Sequence, residues 1–329
     1  MRADPPADDP PEPRPLPRAD VAIQSFRKPE SLVYTLLTLH AHCAARVGAV
    51  WINDDRSEDG SVEAIERLRA SGRLAPWDVR LRVNRRRVAF RGTIMTPGMI
   101  ARALRGGTTR DGLLRMAHGL ATRGLFRPED VRYQHALGAT AAPYVIVLHD
   151  DVRVTGDLAT RLVETMEADP GLAVAGPLGQ CWRCGHRPDC TPQRVLEGQL
   201  PSPQWPRTRR PGQDARARYD DRACRVNEWC CVLRVAAARE LARDHVYFGN
   251  KEAGGDTAAY WFAEAVRRGW RFADPFPVPG RHRFFKHGWQ GHAGNDVWKP
   301  REQGGRGYAR RKVRKRLRAE FGYDWPAEA

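Results

Sequence analysis

Two adjacent carboxylates, Asp150 and Asp151, directly follow an apolar run and are the residues of this sequence best placed to do chemistry. The run Tyr144-Val-Ile-Val-Leu-His149 is short, continuous and rich in β-branched side chains, which favours a buried central strand of a parallel sheet. Open α/β folds bind their ligands where such strands end. Two neighbouring anions repel each other and need a cation, a hydrogen-bond network or water. A divalent metal with a phosphate-bearing ligand fits this position, and a solvated Asp-Asp turn is the alternative.

Further acidic and imidazole side chains occur at positions where they could act with this pair. Asp54 and Asp55 follow a second apolar run, and Asp256 precedes a stretch with helical periodicity. A carboxylate in front of a helix can serve as a general base or can simply cap the helix. His287 and His292 lie in a polar, glycine-flanked stretch, and neutral imidazole is a suitable ligand for Mn²⁺.

Four of the seven cysteines cluster in a segment rich in Pro and Arg. Cys181 and Cys184 form a Cys-x2-Cys knuckle, Cys190 follows it, and Cys224 lies farther along the chain. The pattern indicates a structural Zn²⁺ site, with His186 as an alternative ligand, although a second matching knuckle is missing. Free thiols are the other interpretation, because a reducing compartment disfavours disulfides.

The elements that would position these residues begin with a βαβαβ unit. Apolar runs at residues 21–23, 47–52 and 79–83 predict strands, and helical patterns that start near Pro29 and Val62 lie between them. Such units give parallel sheets with right-handed crossovers. We therefore expect an α/β fold with a mostly parallel, Rossmann-like central sheet flanked by helices.

The remainder of the chain is predicted less completely. Residues 90–130 are rich in Gly and Arg with weak helical patterning, and no element is assigned to them. After the Tyr144 strand we expect a helix over residues 157–168, a strand over 172–175 and a Cys-containing insertion over 181–224. A strand over 226–235, a helix over 257–268 and a basic amphipathic helix over 310–318 follow.

Size and composition limit the class of protein. A chain of 329 residues, 41% of them hydrophobic, can bury a large core, and no stretch approaches the roughly 18 apolar residues of a membrane-spanning helix. The N-terminus lacks the apolar region of a signal peptide, so we expect a cytoplasmic protein. The net charge of +16 predicts attraction to anions such as nucleic acid, phosphorylated substrates or an anionic membrane surface.

Four elements occur in the order found in family-2 glycosyltransferases. A first strand ends in a small polar patch, the second ends in Asp54-Asp-Arg-Ser57 before Asp59-Gly60, and a later strand ends in His149-Asp-Asp151. The fourth element, Gly254-Gly-Asp256, precedes a helix ending in Arg267-Arg-Gly-Trp-Arg271. Over about residues 20–295 the chain resembles these nucleotide-sugar-dependent enzymes of the GT-A fold. The resemblance implies inverting, metal-dependent, hexosyltransferase-type transfer to a hydroxyl of a glycan, glycolipid or metabolite.

The resemblance also implies a role for each polar residue. Asp151 would bind Mn²⁺ or Mg²⁺ directly, and His287 and His292 would join it. Asp256 would be the general base, with two reserves, Glu252 and Glu264. Polar residues at the three strand ends would contact the nucleoside-diphosphate sugar, namely Gln24, Ser25, Asp54, Asp55, Asp150 and Asp151.

Composition and the resemblance together divide the chain into three parts. Residues 1–19, which include seven prolines, are predicted to be a disordered tail. Residues 20–298 would form the transferase domain, with a nucleotide-sugar-binding half (20–152) and an acceptor-side half (153–298). Residues 299–329 would form a basic tail that touches the inner face of a membrane near a lipid-linked acceptor.

Two other functions remain open from the sequence. A nucleic-acid-binding protein could use the basic tail and the cysteine cluster, and its binding would weaken with salt. A solvated or membrane-surface helix explains that tail more simply. A sugar nucleotidyltransferase would need a Gly-rich phosphate loop after the first strand, and Gln24-Ser-Phe-Arg-Lys28 contains no glycine.

Overall fold

A seven-stranded sheet passes through the centre of the part of the chain that this computed structural model describes. The described residues are 15–88, 94–106, 110–178, 225–252, 257–276, 280–287 and 310–325. The strands are β1 (Ala19–Ser25), β2 (Val47–Asp54), β3 (Asp78–Val83), β4 (Tyr144–His149), β5 (Val152–Val154), β6 (Leu172–Ala175), β7 (Cys230–Arg234), β8 (Arg271–Ala273) and β9 (Phe285–His287). The sheet order is β3-β2-β1-β4-β7-β6-β8, and β5 pairs with β9 in a separate ribbon.

Most neighbouring strands of the sheet are parallel. β1 lies between β2 and β4 and is parallel to both, while β3 extends the parallel set beyond β2. β7 is antiparallel to β4 and to β6, and β8 is parallel to β6. The α/β fold with a mostly parallel central sheet, predicted from the sequence, is confirmed.

Helices cover both faces of this sheet. They are α1 (Pro29–Cys43), α2 (Ser61–Ala70), α3 (Pro97–Arg105), α4 (Arg110–Arg123), α5 (Gln134–Ala139), α6 (Leu158–Ala168), α7 (Val235–Arg243), α8 (Ala259–Arg267) and α9 (Arg310–Phe321). Side chains of α1, α2, α6 and α9 pack in the core of one face, and those of α5, α7 and α8 in the core of the other. Ile146 of β4 points into the first core and Val147 into the second, so an uninterrupted apolar run is what this strand needs.

Two regions differ from the sequence-based assignment. Residues 90–130, left without an element, contain α3 and α4. Thr96 caps α3 by accepting a hydrogen bond from Met99 N, and Pro97 occupies its first turn. Met99 is the one side chain of α3 that is buried, so α3 lacks the buried apolar face of a core helix. The strand predicted over 226–235 is shorter, because residues 226–229 lie outside regular structure although Val226 and Trp229 are buried, and Val235 begins α7.

The basic helix predicted at the C-terminal end is confirmed as α9, and its apolar side belongs to the core. Val313 and Leu317 are fully buried where α9 packs on α1, and Arg314 donates a hydrogen bond of 2.7 Å to the buried Glu30. Because the apolar side is buried, a membrane or nucleic acid would have to contact the charged side of α9. Such contact stays a prediction. Among the described residues, no helix combines the length and the apolar character needed to span a bilayer.

Candidate metal and donor site

The carboxyl ends of β1, β2 and β4 meet at one edge of the sheet. Gln24 of β1 lies opposite Asn53 of β2 and opposite His149 of β4, and its Oε1 accepts a 2.9 Å hydrogen bond from Asn53 Nδ2. Because the three strands are parallel and in register, the segments that follow them are neighbours in space although they are distant in sequence. The predicted donor-binding residues of the three strand ends are therefore brought together.

Asp150 and Asp151 are both buried at this edge, where they share a lysine. The backbone N–H of Phe26 donates to Asp150 Oδ2 at 3.2 Å. Lys28 Nζ donates to Asp151 Oδ2 at 2.9 Å and also contacts Asp150 Oδ1. Lys28 is itself only 5% exposed and lies in the segment between β1 and α1. Its ammonium is the cation that two adjacent carboxylates require, and sequence reasoning did not identify it.

The pKa values of the two carboxylates are shifted in opposite directions by their surroundings. Burial alone would lower the pKa of Lys28, but attraction to Asp150 and Asp151 outweighs burial and raises the pKa above its usual value. Burial opposes the ionisation of Asp151, yet Lys28 and His287 hold its pKa well below the usual range. Burial and the neighbouring charge of Asp151 raise the pKa of Asp150. Asp151 is therefore the more strongly ionised member of the pair.

A candidate metal centre lies on the other side of Asp151. The ligand atoms of His149, Asp151 and His287 all lie within 4.8 Å of one another. Asp151 Oδ1 is buried and forms no hydrogen bond of normal geometry with the described residues, although His287 Nε2 lies 3.3 Å from it. A buried carboxylate oxygen is normally satisfied, so this gap fits a bound cation. The residues present therefore fit a divalent metal held by one carboxylate and two imidazoles.

Both imidazoles are held in place by the fold. His287 ends β9, which pairs with β5 so that His287 lies opposite Val152, and its ring stacks on Trp229 with the centroids 4.5 Å apart. His149 ends β4, and burial is the main reason that its pKa falls to about 3. An uncharged imidazole has a nitrogen lone pair available to a metal. His149, quoted in the sequence motif but given no role there, thus joins the candidate ligands.

The two carboxylates at the end of β2 have different surroundings. Asp55 Oδ1 accepts hydrogen bonds from Val88 N at 2.6 Å and from Asn84 Nδ2 at 3.1 Å, which fixes the chain after β3. Asp54 is completely buried, and its Oδ1 accepts a 2.7 Å hydrogen bond from Ser57 N. Its Oδ2 has no hydrogen-bond partner among the described residues, and burial raises its pKa. Asp54 is therefore the member of this pair whose second carboxylate oxygen, Oδ2, can accept a hydrogen bond from a ligand.

Glu252, one of the two reserve bases, is a buried carboxylate beside the cation of Arg102. It forms an ion pair with Arg102 of α3, while its Oε1 has no hydrogen-bond partner among the described residues. Burial raises the pKa of Glu252 to about 7, because the attraction of Arg102 only partly offsets it. The other reserve, Glu264, is paired with Arg267 on α8.

Two buried arginines meet at the residue that follows Asp256. Arg132 Nη1 donates to Thr257 Oγ1 at 3.1 Å, and Arg225 Nε donates to the Thr257 carbonyl at 3.0 Å. Ala258 N closes the loop by donating to Asn250 O at 3.0 Å. Both ends of the segment that carries the predicted base are therefore anchored on the protein core.

Several predicted site residues lie outside the described part of the chain. These are the base Asp256, the metal ligand His292 and the zinc ligands Cys181, Cys184, Cys190 and Cys224, together with His186. The cysteines that the structure does describe, Cys43, Cys230 and Cys231, are buried free thiols, and burial raises their pKa values. These three are thus packing residues with little thiolate character.

Comparisons with known proteins give matches among solved structures only. No protein-family model and no curated protein matches the chain. It is similar to the mannosyltransferase PcManGT from Pyrobaculum calidifontis in complex with GDP-Man and Mn²⁺, with 14% identity, a TM-score of 0.43, and coverage of 85% of this chain and 63% of that one. It is also similar to S. aureus TarS 1-349, with 10% identity, a TM-score of 0.42, and coverage of 82% and 59%. The chain thus spans about three fifths of the length of either structure.

Proposed function

We propose that this chain is a metal-dependent glycosyltransferase that moves a sugar from a nucleoside-diphosphate sugar to a hydroxyl acceptor. The observation that carries the proposal is Asp151 Oδ1, a buried oxygen that forms no hydrogen bond of normal geometry with the described residues and lies beside His149 and His287. Leaving such a group unpaired costs free energy, so the gap favours a bound cation. Its position at the carboxyl end of β4 is where open α/β sheets bind ligands.

Asp151, His149 and His287 would hold the metal. A divalent ion there would neutralise the negative charge that develops on the departing diphosphate. One carboxylate with two imidazoles is a donor set that suits Mn²⁺ better than Mg²⁺, which prefers oxygen ligands. His292 is retained as a further candidate ligand.

The nucleoside of the donor would lie over the ends of β1 and β2. Asp54 Oδ2 can accept a hydrogen bond from a ring N–H or a ribose hydroxyl. Ser25 lies close enough to interact with Asp54, and its Oγ forms no hydrogen bond of normal geometry with the described residues, so it is a second contact. Asp55 would support the neighbouring loop, since Asn84 and Val88 already engage it.

A carboxylate of the 250–258 loop would take the proton of the attacking hydroxyl. Asp256 is the candidate, because it immediately precedes the anchored Thr257. Glu252 is the alternative, because a pKa of about 7 suits proton exchange near neutral pH. A base on the face opposite the leaving group would give inversion at the anomeric carbon.

A donor screen tests this function. UDP-, GDP- and dTDP-sugars are incubated with the protein and Mn²⁺, with and without sugar acceptors, and release of nucleoside diphosphate is measured. We expect one donor class to react and Asp151→Asn to lower that rate on the order of 10²–10³-fold, as loss of a charge-stabilising group does. The matched control, Asp324→Asn, removes an exposed acid paired with Arg318 and should keep the rate. No release from any donor, or a fully active Asp151→Asn protein, would contradict the proposal.

A further inference from the structure

Lys28 is a buried cation inside the candidate metal site. Its Nζ contacts Asp150 Oδ1 and lies 2.9 Å from Asp151 Oδ2, with the three side chains almost fully excluded from water. Because one ammonium faces two carboxylates, it offsets one of their two negative charges before any ion arrives. Without this ammonium, two buried anions would have to stay side by side, which is strongly unfavourable.

The candidate metal position lies on the other oxygen of the same carboxylate. Lys28 donates to Asp151 Oδ2, whereas Oδ1 lies 3.3 Å from His287 Nε2 and forms no hydrogen bond of normal geometry with the described residues. A metal ion at Oδ1 would thus sit across one carboxylate group from a fixed positive charge. Two cations that close repel each other, and screening is weak where water is excluded.

We propose that Lys28 is a resident cation that holds the two aspartates together in the metal-free protein and thereby weakens metal binding. The proposal deepens the proposed function, because it rests on the same metal site, but it makes its own statement about stability and metal affinity. It assigns Lys28 a positioning role: the ammonium keeps Asp150 and Asp151 in place whenever no metal is bound. The protein can then fold and keep its site assembled at low metal concentration.

The test compares the wild-type chain with Lys28→Met, a neutral side chain of similar length. Mn²⁺ affinity is measured by EPR titration without any sugar nucleotide, and thermal midpoints are measured in EDTA and in Mn²⁺. We expect Lys28→Met to lower the midpoint in EDTA, to bind Mn²⁺ at least about tenfold more tightly, and to gain more from added Mn²⁺ than wild type does.

Two variants serve as controls. Lys286→Met removes an exposed positive charge next to His287, and should leave the Mn²⁺ affinity within about threefold because solvent screens that charge. Lys28→Arg keeps the charge and should retain wild-type Mn²⁺ affinity more closely than Lys28→Met. If Lys28→Met does not fold in EDTA, it is purified in Mn²⁺, and its affinity is measured by competition with a chelator.

Equal or weaker Mn²⁺ binding by Lys28→Met would overturn the proposal, as would an unchanged midpoint in EDTA. Absence of Mn²⁺ binding in both proteins would overturn it as well. A wild-type chain that releases no nucleoside diphosphate from any donor, while Lys28→Met shows the expected tightening, contradicts the proposed function and supports the role of Lys28. A wild-type chain that is active, with Mn²⁺ affinity and an EDTA midpoint that Lys28→Met does not change, would support the proposed function and overturn the role of Lys28.

Discussion

Asp151 and Glu252 are both buried carboxylates that touch a positive side chain, yet they ionise in opposite ways. Burial disfavours the charged form of each. At Asp151 the attraction of Lys28 and His287 wins, and the pKa falls well below its usual range. At Glu252 the attraction of Arg102 does not offset burial, and the pKa rises to about 7.

The difference shows what each of the two carboxylates can do. A carboxylate that stays ionised can bind a metal at any physiological pH, whereas one that titrates near neutrality can accept and release a proton. The edge formed by β1, β2 and β4 is thus suited to holding cationic charge. The raised pKa of Glu252 suits acid–base chemistry. This assignment agrees with a donor side and a base side of one transfer reaction.

Removal of the cation beside Glu252 should have the largest effect on stability. Arg102→Met leaves a buried carboxylate without its partner, and we expect a loss of about 3–5 kcal/mol in the free energy of unfolding at pH 8. Protonation of Glu252 should make the loss smaller at pH 6. Urea unfolding at the two pH values measures both. A loss that is small and equal at both would show that Arg102 does not control Glu252.

The titration of Glu252 can be measured against Glu252→Gln, whose side chain stays neutral. The folded state favours the protonated form, so this contribution to stability is complete below the ordinary pKa of 4.5 and disappears as pH rises through about 7. We expect the stability of wild type relative to the variant to fall by about 3 kcal/mol across that window, since each pKa unit is worth about 1.4 kcal/mol. A difference that does not vary with pH would remove the contrast with Asp151.

The two aspartates at the end of β2 should separate into a structural and a binding residue. Asp55→Ala leaves Val88 N and Asn84 Nδ2 without their acceptor and should cost about 2 kcal/mol in thermal or urea unfolding. Asp54→Asn should change stability less and weaken donor binding more, as measured by calorimetry with the donor that the screen identifies. A larger loss of stability in Asp54→Asn and a larger loss of donor binding in Asp55→Ala would show that Asp54 is the structural residue and Asp55 the binding residue.

The strand framework was accessible from the sequence because its signals are local. The apolar run of β4 and the helical spacing in α1 each reflect burial of nearby residues. α3 and α4 were left unassigned, since Met99 is the one buried side chain of α3 and none of the described side chains of α4 is buried. Extending strand β7 too far toward residue 226 had a similar origin: Val226 and Trp229 are buried outside regular structure, so burial there does not mark a strand.

The carboxylates of the site could be predicted from the sequence for the same reason, whereas their partners could not. Asp150 and Asp151 stand at the end of a recognisable strand. Lys28 reaches them only because β1 and β4 are adjacent and parallel, and β4 is far along the chain. His149 joins Asp151 and His287 because β9 returns beside β5. Such pairings depend on the order of strands, which local periodicity does not encode.

Pulsed EPR of the Mn²⁺ complex tests the metal site most directly. We expect the bound ion in the wild-type chain to show ¹⁴N couplings from two imidazoles, His149 and His287. His287→Gln should remove one of these couplings, and Asp151→Asn should abolish high-affinity binding. Mn²⁺ that binds the wild-type chain tightly without any nitrogen coupling, or with couplings unchanged in His287→Gln, would contradict a metal centre at Asp151.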